Sequence, residues 1–239
     1  MPHDAIHSKA LLAVAGPGKY DEAMSDTTDE AAPQRRRRMR TQRLEAFSDG
    51  VFAIAVTLLV LELAVPVGSE HDLLGAFLKE WPSYLAYVVS FSTIGALWLG
   101  HSLITEQLQQ ADAVLVRLNL LLLLVVSFLP FPTRLLAEYL SSDTAERVAV
   151  TIYGLTLLVA IGLLLLLWRY AVRARLVRPD IADDELTTLT KRLTPGLVGY
   201  VVLIGLGLFW PVVAVIGYLL IALYFIIPLR SARRQLSTR

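Results

Sequence analysis

Five long stretches of the chain are apolar with almost no charge. Phe47 to Val65 carries only Asp49 and Glu62, while Trp81 to Thr105, Leu118 to Thr133 and Val148 to Trp168 carry none. Thr194 to Leu229 is also uncharged. A bilayer core of roughly 30 Å is crossed by about 20 helical residues, so each of the first four stretches predicts one crossing helix. The fifth would make a single helix of about 54 Å and has to turn. The predicted turn is Phe209-Trp210-Pro211, where the aromatics suit an interface and the proline suits the first position of a new helix. The pattern therefore predicts an all-α membrane protein with six transmembrane helices per subunit, the last two forming a tight hairpin.

Charge sets the orientation. Lys and Arg cluster at Arg35 to Arg38, Arg40 and Arg43, at Arg169 to Arg192 after the fourth span, and at Arg230 to Arg239, whereas the alternate loops hold only Lys79, Arg134 and Arg147. The positive-inside rule places both termini in the cytoplasm, and an even number of spans agrees with that. The loop between spans two and three fits least well, because it has no Lys or Arg before Arg117. Composition points the same way. The apolar fraction is 55% and the charged fraction 18%, against about 45–50% and about 25% in soluble domains, and the mean hydropathy is +0.57. A nucleic-acid binder is excluded by this layout. The absence of cysteine excludes disulfides, thiolate metal sites and a Cys nucleophile.

Residues 1–34 differ in character, with Gly16-Pro17-Gly18, several acidic residues and little periodicity, and are expected to form a disordered tail. Met24 is a second candidate start. Residues 35–43 form a basic juxtamembrane segment, 44–229 the six-helix domain and 230–239 a basic cytoplasmic tail. Arg35 to Arg40 could hold anionic lipid at the membrane surface.

A charge inside a span costs about 2.5–3.5 kcal/mol on insertion scales, so each one needs a reason. On a helical wheel of span one, Arg43, Phe47, Gly50, Ile54, Thr57, Leu61 and Val65 share a stripe bordered by Leu58, and Asp49 points about 140° away. Donors for Asp49 are available from Trp98 and His101 on span two and from Asn119 and Ser127 on span three. Ser48, Asp49 and Asn119 are expected to lock helix packing, whereas His101 near its span end is either a packing residue or a pH sensor. Glu62, near the external end of span one, would form a cation-attracting ring if copies assembled symmetrically.

The chain resembles the transmembrane protein 175 family of potassium channels. The likeness is carried by Arg43-x-x-x-Phe47-Ser48-Asp49 and by Ala53-Ile54-x-x-Thr57-Leu58-Leu59-x-Leu61-Glu62. It continues in Ser90-Phe91, Ile94-Gly95-x-x-Trp98-x-x-His101, Leu118-Asn119-Leu120 and Ser127-Phe128-Leu129-Pro130-Phe131-Pro132-Thr133. The resemblance implies a homotetramer in a prokaryotic plasma membrane, with a pore lined by the first helix and passive conduction of potassium without a cofactor. It implies pore constrictions at Ile54, Thr57, Leu58 and Leu61. It also implies a packing network of Arg43, Phe47, Ser48, Asp49, Trp98, His101 and Asn119. The wheel, in contrast, sets Arg43 and Phe47 on the pore stripe.

The main rival is a secondary ion-coupled transporter, which would want ionisable groups at the midplane and repeated halves. Asp49 and Glu62 lie about 20 Å apart toward opposite ends of one helix, and no half recurs. An enzyme is not expected. Three of the four histidines, His3, His7 and His71, fall outside the spans, and Gly205-x-Gly207 lacks the third glycine of a phosphate loop.

Overall fold

The computed structural model describes residues 41–63, 71–142, 145–180 and 183–227. The expected tail of residues 1–34, the basic cluster Arg35 to Arg40 and the tail 230–239 lie outside the described residues. Within them the architecture is helical. Helix α1 covers Thr41–Glu62 and tightens to a 3-10 turn at Leu59–Glu62. It is followed by a short α2 (Leu73–Lys79), then α3 (Trp81–Gln107), α4 (Ala113–Phe128) and α5 (Pro130–Tyr139). The chain continues through α6 (Glu146–Arg173), α7 (Asp183–Gly207) and α8 (Pro211–Ile226).

Four segments are long and apolar enough to cross a membrane: Thr41–Glu62, Trp81–Gln107, Ala113–Tyr139 and Glu146–Arg173. Two shorter apolar helices, Thr194–Gly207 and Pro211–Ile226, complete the set. Helices suit this role because every backbone donor and acceptor is satisfied within the segment. The third span is longer than the apolar run Leu118 to Thr133 and is interrupted at Leu129. Pro130 has no N–H to continue the ladder, so α4 stops at Phe128 and α5 restarts from it, with the Thr133 amide donating to Leu129 O at 3.1 Å. The fifth apolar run turns at residues 208–210, and Pro211 opens α8.

Helices α3 and α6 form the centre. The first packs most extensively on α8 and α5, the second on α7 and α4. Trp168, Tyr153 and Tyr218 are the largest fully buried side chains among the described residues. Close approach depends on small residues, as is usual in membrane bundles. A Cβ at Gly154 would overlap the Tyr218 hydroxyl and lie 2.7 Å from Ile204 Cγ1. A separate knot of hydroxyls ties three spans together: Ser90 on α3 bonds Thr133 on α5 at 2.8 Å and Tyr153 on α6 at 2.9 Å.

At one end of the bundle, the α3–α4 loop pairs with the segment after α6. Leu108 and Val177 form an antiparallel bridge, Gln109 N donates to Leu176 O at 2.9 Å, and Arg178 N donates to Gln107 O at 3.0 Å. The loop that lacked positive charge thus shares a side with the arginine-rich segment. Asp112 caps α4 there by accepting from Leu115 N at 2.8 Å, and Tyr170 donates to its other oxygen. Burial alone would push the Asp112 carboxyl up. The bonds from Tyr170, Leu115 and Val114 outweigh that and hold it below its ordinary value. Helix α6 ends in a Schellman turn, with Arg175 N donating to Val172 O and Leu176 N to Ala171 O. Its left-handed position is occupied by Arg175, at φ 54°, where glycine is usual.

Candidate functional site

Helix α1 is the least enclosed of the four long spans. Only 22% of its apolar window is buried, against 50% in α6. Its two faces are distinct. Ser48, Phe52, Ala55 and Leu59, at helical spacing, are buried against the rest of the chain. On the opposite side, Phe47, Ile54, Leu58 and Leu61 are exposed, Ile54 by 61% and Leu61 by 72%, with Arg43, Gly50 and Thr57 exposed among them. The stripe read from the wheel is therefore a real face that the chain leaves uncovered from Arg43 to Leu61, while Val65 lies outside the described residues. The Thr57 hydroxyl donates to Ile54 O at 2.9 Å, which leaves the oxygen's lone pairs as acceptors on that face.

The buried face is fixed by a polar chain through three spans. Asn119 on α4 donates from Nδ2 to Ser48 Oγ at 2.9 Å, and Ser48 donates onward to Leu44 O at 2.8 Å. The Asn119 Oδ1 lies 2.7 Å from His101 Nε2 on α3. An amide oxygen only accepts, so His101 carries its proton on Nε2. Its Nδ1 is buried and has no hydrogen-bond partner among the described residues. Phe52 stacks beside the imidazole with ring centroids 5.5 Å apart.

Asp49 is served differently from the expectation that several donors would converge on it. It sits at the edge of the buried face and accepts from Trp98 Nε1 at 2.9 Å. His101 and Asn119 bond each other and Ser48 instead, and Ser127 is exposed, with its hydroxyl bonded to Leu124 O. Among the described residues, no hydrogen bond or ion pair joins Arg43 or Phe47 to this network, and both lie on the uncovered face.

At the far end of α1, Glu62 faces α5. Arg134 Nε lies 3.9 Å from Glu62 Oε2 and donates to Glu138 Oε1 at 2.9 Å. The sequence reading treated Arg134 only as a loop charge. The available signal was that Glu62 and Arg134 close the same ends of neighbouring spans. Among the described residues there is no group of three His, Cys, Asp or Glu able to hold a metal.

The family described as endosomal/lysosomal potassium channel TMEM175 matches residues 43–130, the part of the chain that builds both faces of α1 and the polar chain behind it. A potassium channel of Streptomyces collinus is 39% identical over 188 residues, covering 77% of this chain and 90% of that protein. A potassium channel of Chamaesiphon minutus is 45% identical over 164 residues, covering 66% of this chain and 80% of that protein. The fold is similar to the crystal structure of a lysosomal potassium-selective channel TMEM175 homolog from Chamaesiphon minutus, with a TM-score of 0.72 and 39% identity. That match covers 79% of this chain and 97% of the other.

Proposed function

The chain belongs to the TMEM175 family, and from that membership we propose that four copies assemble around a potassium-permeable pore lined by α1. The observation that carries this reading is the uncovered stripe of Ile54, Thr57, Leu58 and Leu61 on the least buried span. In a tetramer this stripe would face the axis. Ile54 and Leu61 would form apolar rings about 10 Å apart. Such a constriction closes by dewetting or passes an ion that sheds part of its hydration. Thr57 stands between the rings, and its free lone pairs supply four oxygens that compensate for lost water. Conduction is passive. The ionisable groups of α1 sit near its ends, which disfavours a coupled transporter.

The same reading gives the remaining parts their roles. The two shorter apolar helices cross as a hairpin, making six crossings per subunit. Both termini face the cytoplasm, and the bacterial relatives favour a plasma membrane. Ser48, Asp49, Trp98, His101 and Asn119 hold α1 against α3 and α4, and Arg43 and Phe47 meet the neighbouring subunit. Arg35 to Arg40 hold anionic lipid at the inner surface.

The test is selectivity of purified channels in planar bilayers under bi-ionic potassium and sodium. The native protein is expected to prefer potassium. Ile54→Asn wets the constriction and is expected to bring the two permeabilities together. A variant with native selectivity would refute Ile54 as part of the filter.

A further inference from the structure

We infer that Arg134 is the residue that sets the charge of the outer pore mouth, by screening Glu62, and so tunes how readily cations enter from outside. The inference rests on the tetrameric pore proposed above. Glu62 closes α1, one residue beyond Leu61, whose side chain is largely exposed on the uncovered stripe. Among the described residues, Arg134 is the cation that approaches Glu62, at 3.9 Å, and its shorter bond at 2.9 Å goes to Glu138. Glu138 therefore competes with Glu62 for one guanidinium. The trio carries one net negative charge per subunit, and it would carry two without Arg134.

The arrangement is poorly suited to holding the fold. The Arg134 side chain is 62% exposed, and exposed ion pairs contribute little to stability. Its effect is instead on the local field. A mouth lined by one sign of charge raises the local concentration of permeant counter-ion. Arg134 subtracts from that field at the last charged ring before the apolar constriction.

The experiment is single-channel recording of the native protein, Arg134→Gln, Glu138→Gln and the double variant Arg134→Gln/Glu62→Gln. External potassium is set at about 10 mM, where charges act over about 30 Å, and at about 1 M, where they act over about 3 Å. At low salt, Arg134→Gln is expected to raise inward conductance about two-fold. Glu138→Gln frees Arg134 for Glu62 and is expected to lower it. The double variant is expected to fall to the native value or below, and all differences are expected to vanish at high salt. Arg134→Gln with native conductance at low salt, or with an increase that persists at high salt, overturns the inference alone. A native tetramer that passes no potassium overturns the pore reading, and the inference falls with it.

Discussion

Asn119→Ala is expected to weaken the junction of α1, α3 and α4 more than any other single loss of a polar group. The carboxamide is fully buried and makes two bonds, 2.9 Å to Ser48 and 2.7 Å to His101. Hydrogen bonds between membrane helices average about 0.6 kcal/mol and reach about 1.7. Two bonds therefore give about 1–3 kcal/mol. The variant also strands the His101 Nε2–H in a site where Nδ1 already lacks a partner. An unsatisfied buried donor costs about 1–3 kcal/mol, which overlaps with the lost bonds rather than adding to them in full. A total of about 2–3 kcal/mol is expected. For a chain of this size it lowers the melting temperature by about 4–12 °C. Thermal unfolding of detergent-solubilised protein, followed by tryptophan fluorescence, measures it. The double variant Asn119→Leu/His101→Leu is expected to recover part of the loss, because both partners then become apolar. A melting temperature within about 1 °C of native for Asn119→Ala would refute the reasoning that the polar chain secures α1.

Two further variants probe the end of the bundle where the α3–α4 loop meets the segment after α6. Asp112→Asn keeps a cap oxygen but removes its negative charge at the N-terminus of α4 and weakens the Tyr170 contact, with an expected loss of about 0.3–1 kcal/mol by thermal unfolding. Because the folded-state carboxyl is held below its ordinary value, its contribution is present above the ordinary carboxylate range. It is lost as pH falls through the lowered value, so native and Asp112→Asn melting temperatures should converge in acid. Arg175→Gly relieves a left-handed position and is expected to stabilise the protein by about 1 kcal/mol, read as a higher melting temperature. An unchanged or lower value would mean that the Arg175 side chain makes a compensating contact.

The spans were legible because lipid tolerates so few sequences. A run such as Val148 to Trp168 has no other stable state in hydrocarbon, and the fifth run had to turn by length, with the aromatics and Pro211 marking where. The two faces of α1 were also legible, since small and apolar residues at helical spacing separate cleanly from Ser48 and Asp49. What the wheel could not give is which partner each polar group takes. Trp98 and His101 are three residues apart on one helix, yet the first bonds Asp49 and the second Asn119. That choice is set by the rotation and depth of α3 against α1 and α4, which depend on packing across the bundle. The same holds for Ser90, which serves Thr133 and Tyr153 rather than the network at Asp49. The continuation of the third span past Thr133 was hidden because Arg134 reads as a loop charge, although Glu138 neutralises it one turn away on α5. The pairing of Leu108 with Val177 joins segments 69 residues apart and has no local signal.

Whether the stripe on α1 faces the conduction path is directly measurable, because the chain has no native cysteine. A Leu61→Cys channel, recorded in a planar bilayer, would be treated from the outer side with a charged thiol-reactive reagent. Mass spectrometry would verify full labelling. The account predicts that the labelled ring blocks or strongly reduces potassium current, while the cysteine-free parent is unaffected. Complete labelling with undiminished potassium current would contradict it, because Leu61 would then face lipid or a subunit contact and the pore would lie elsewhere.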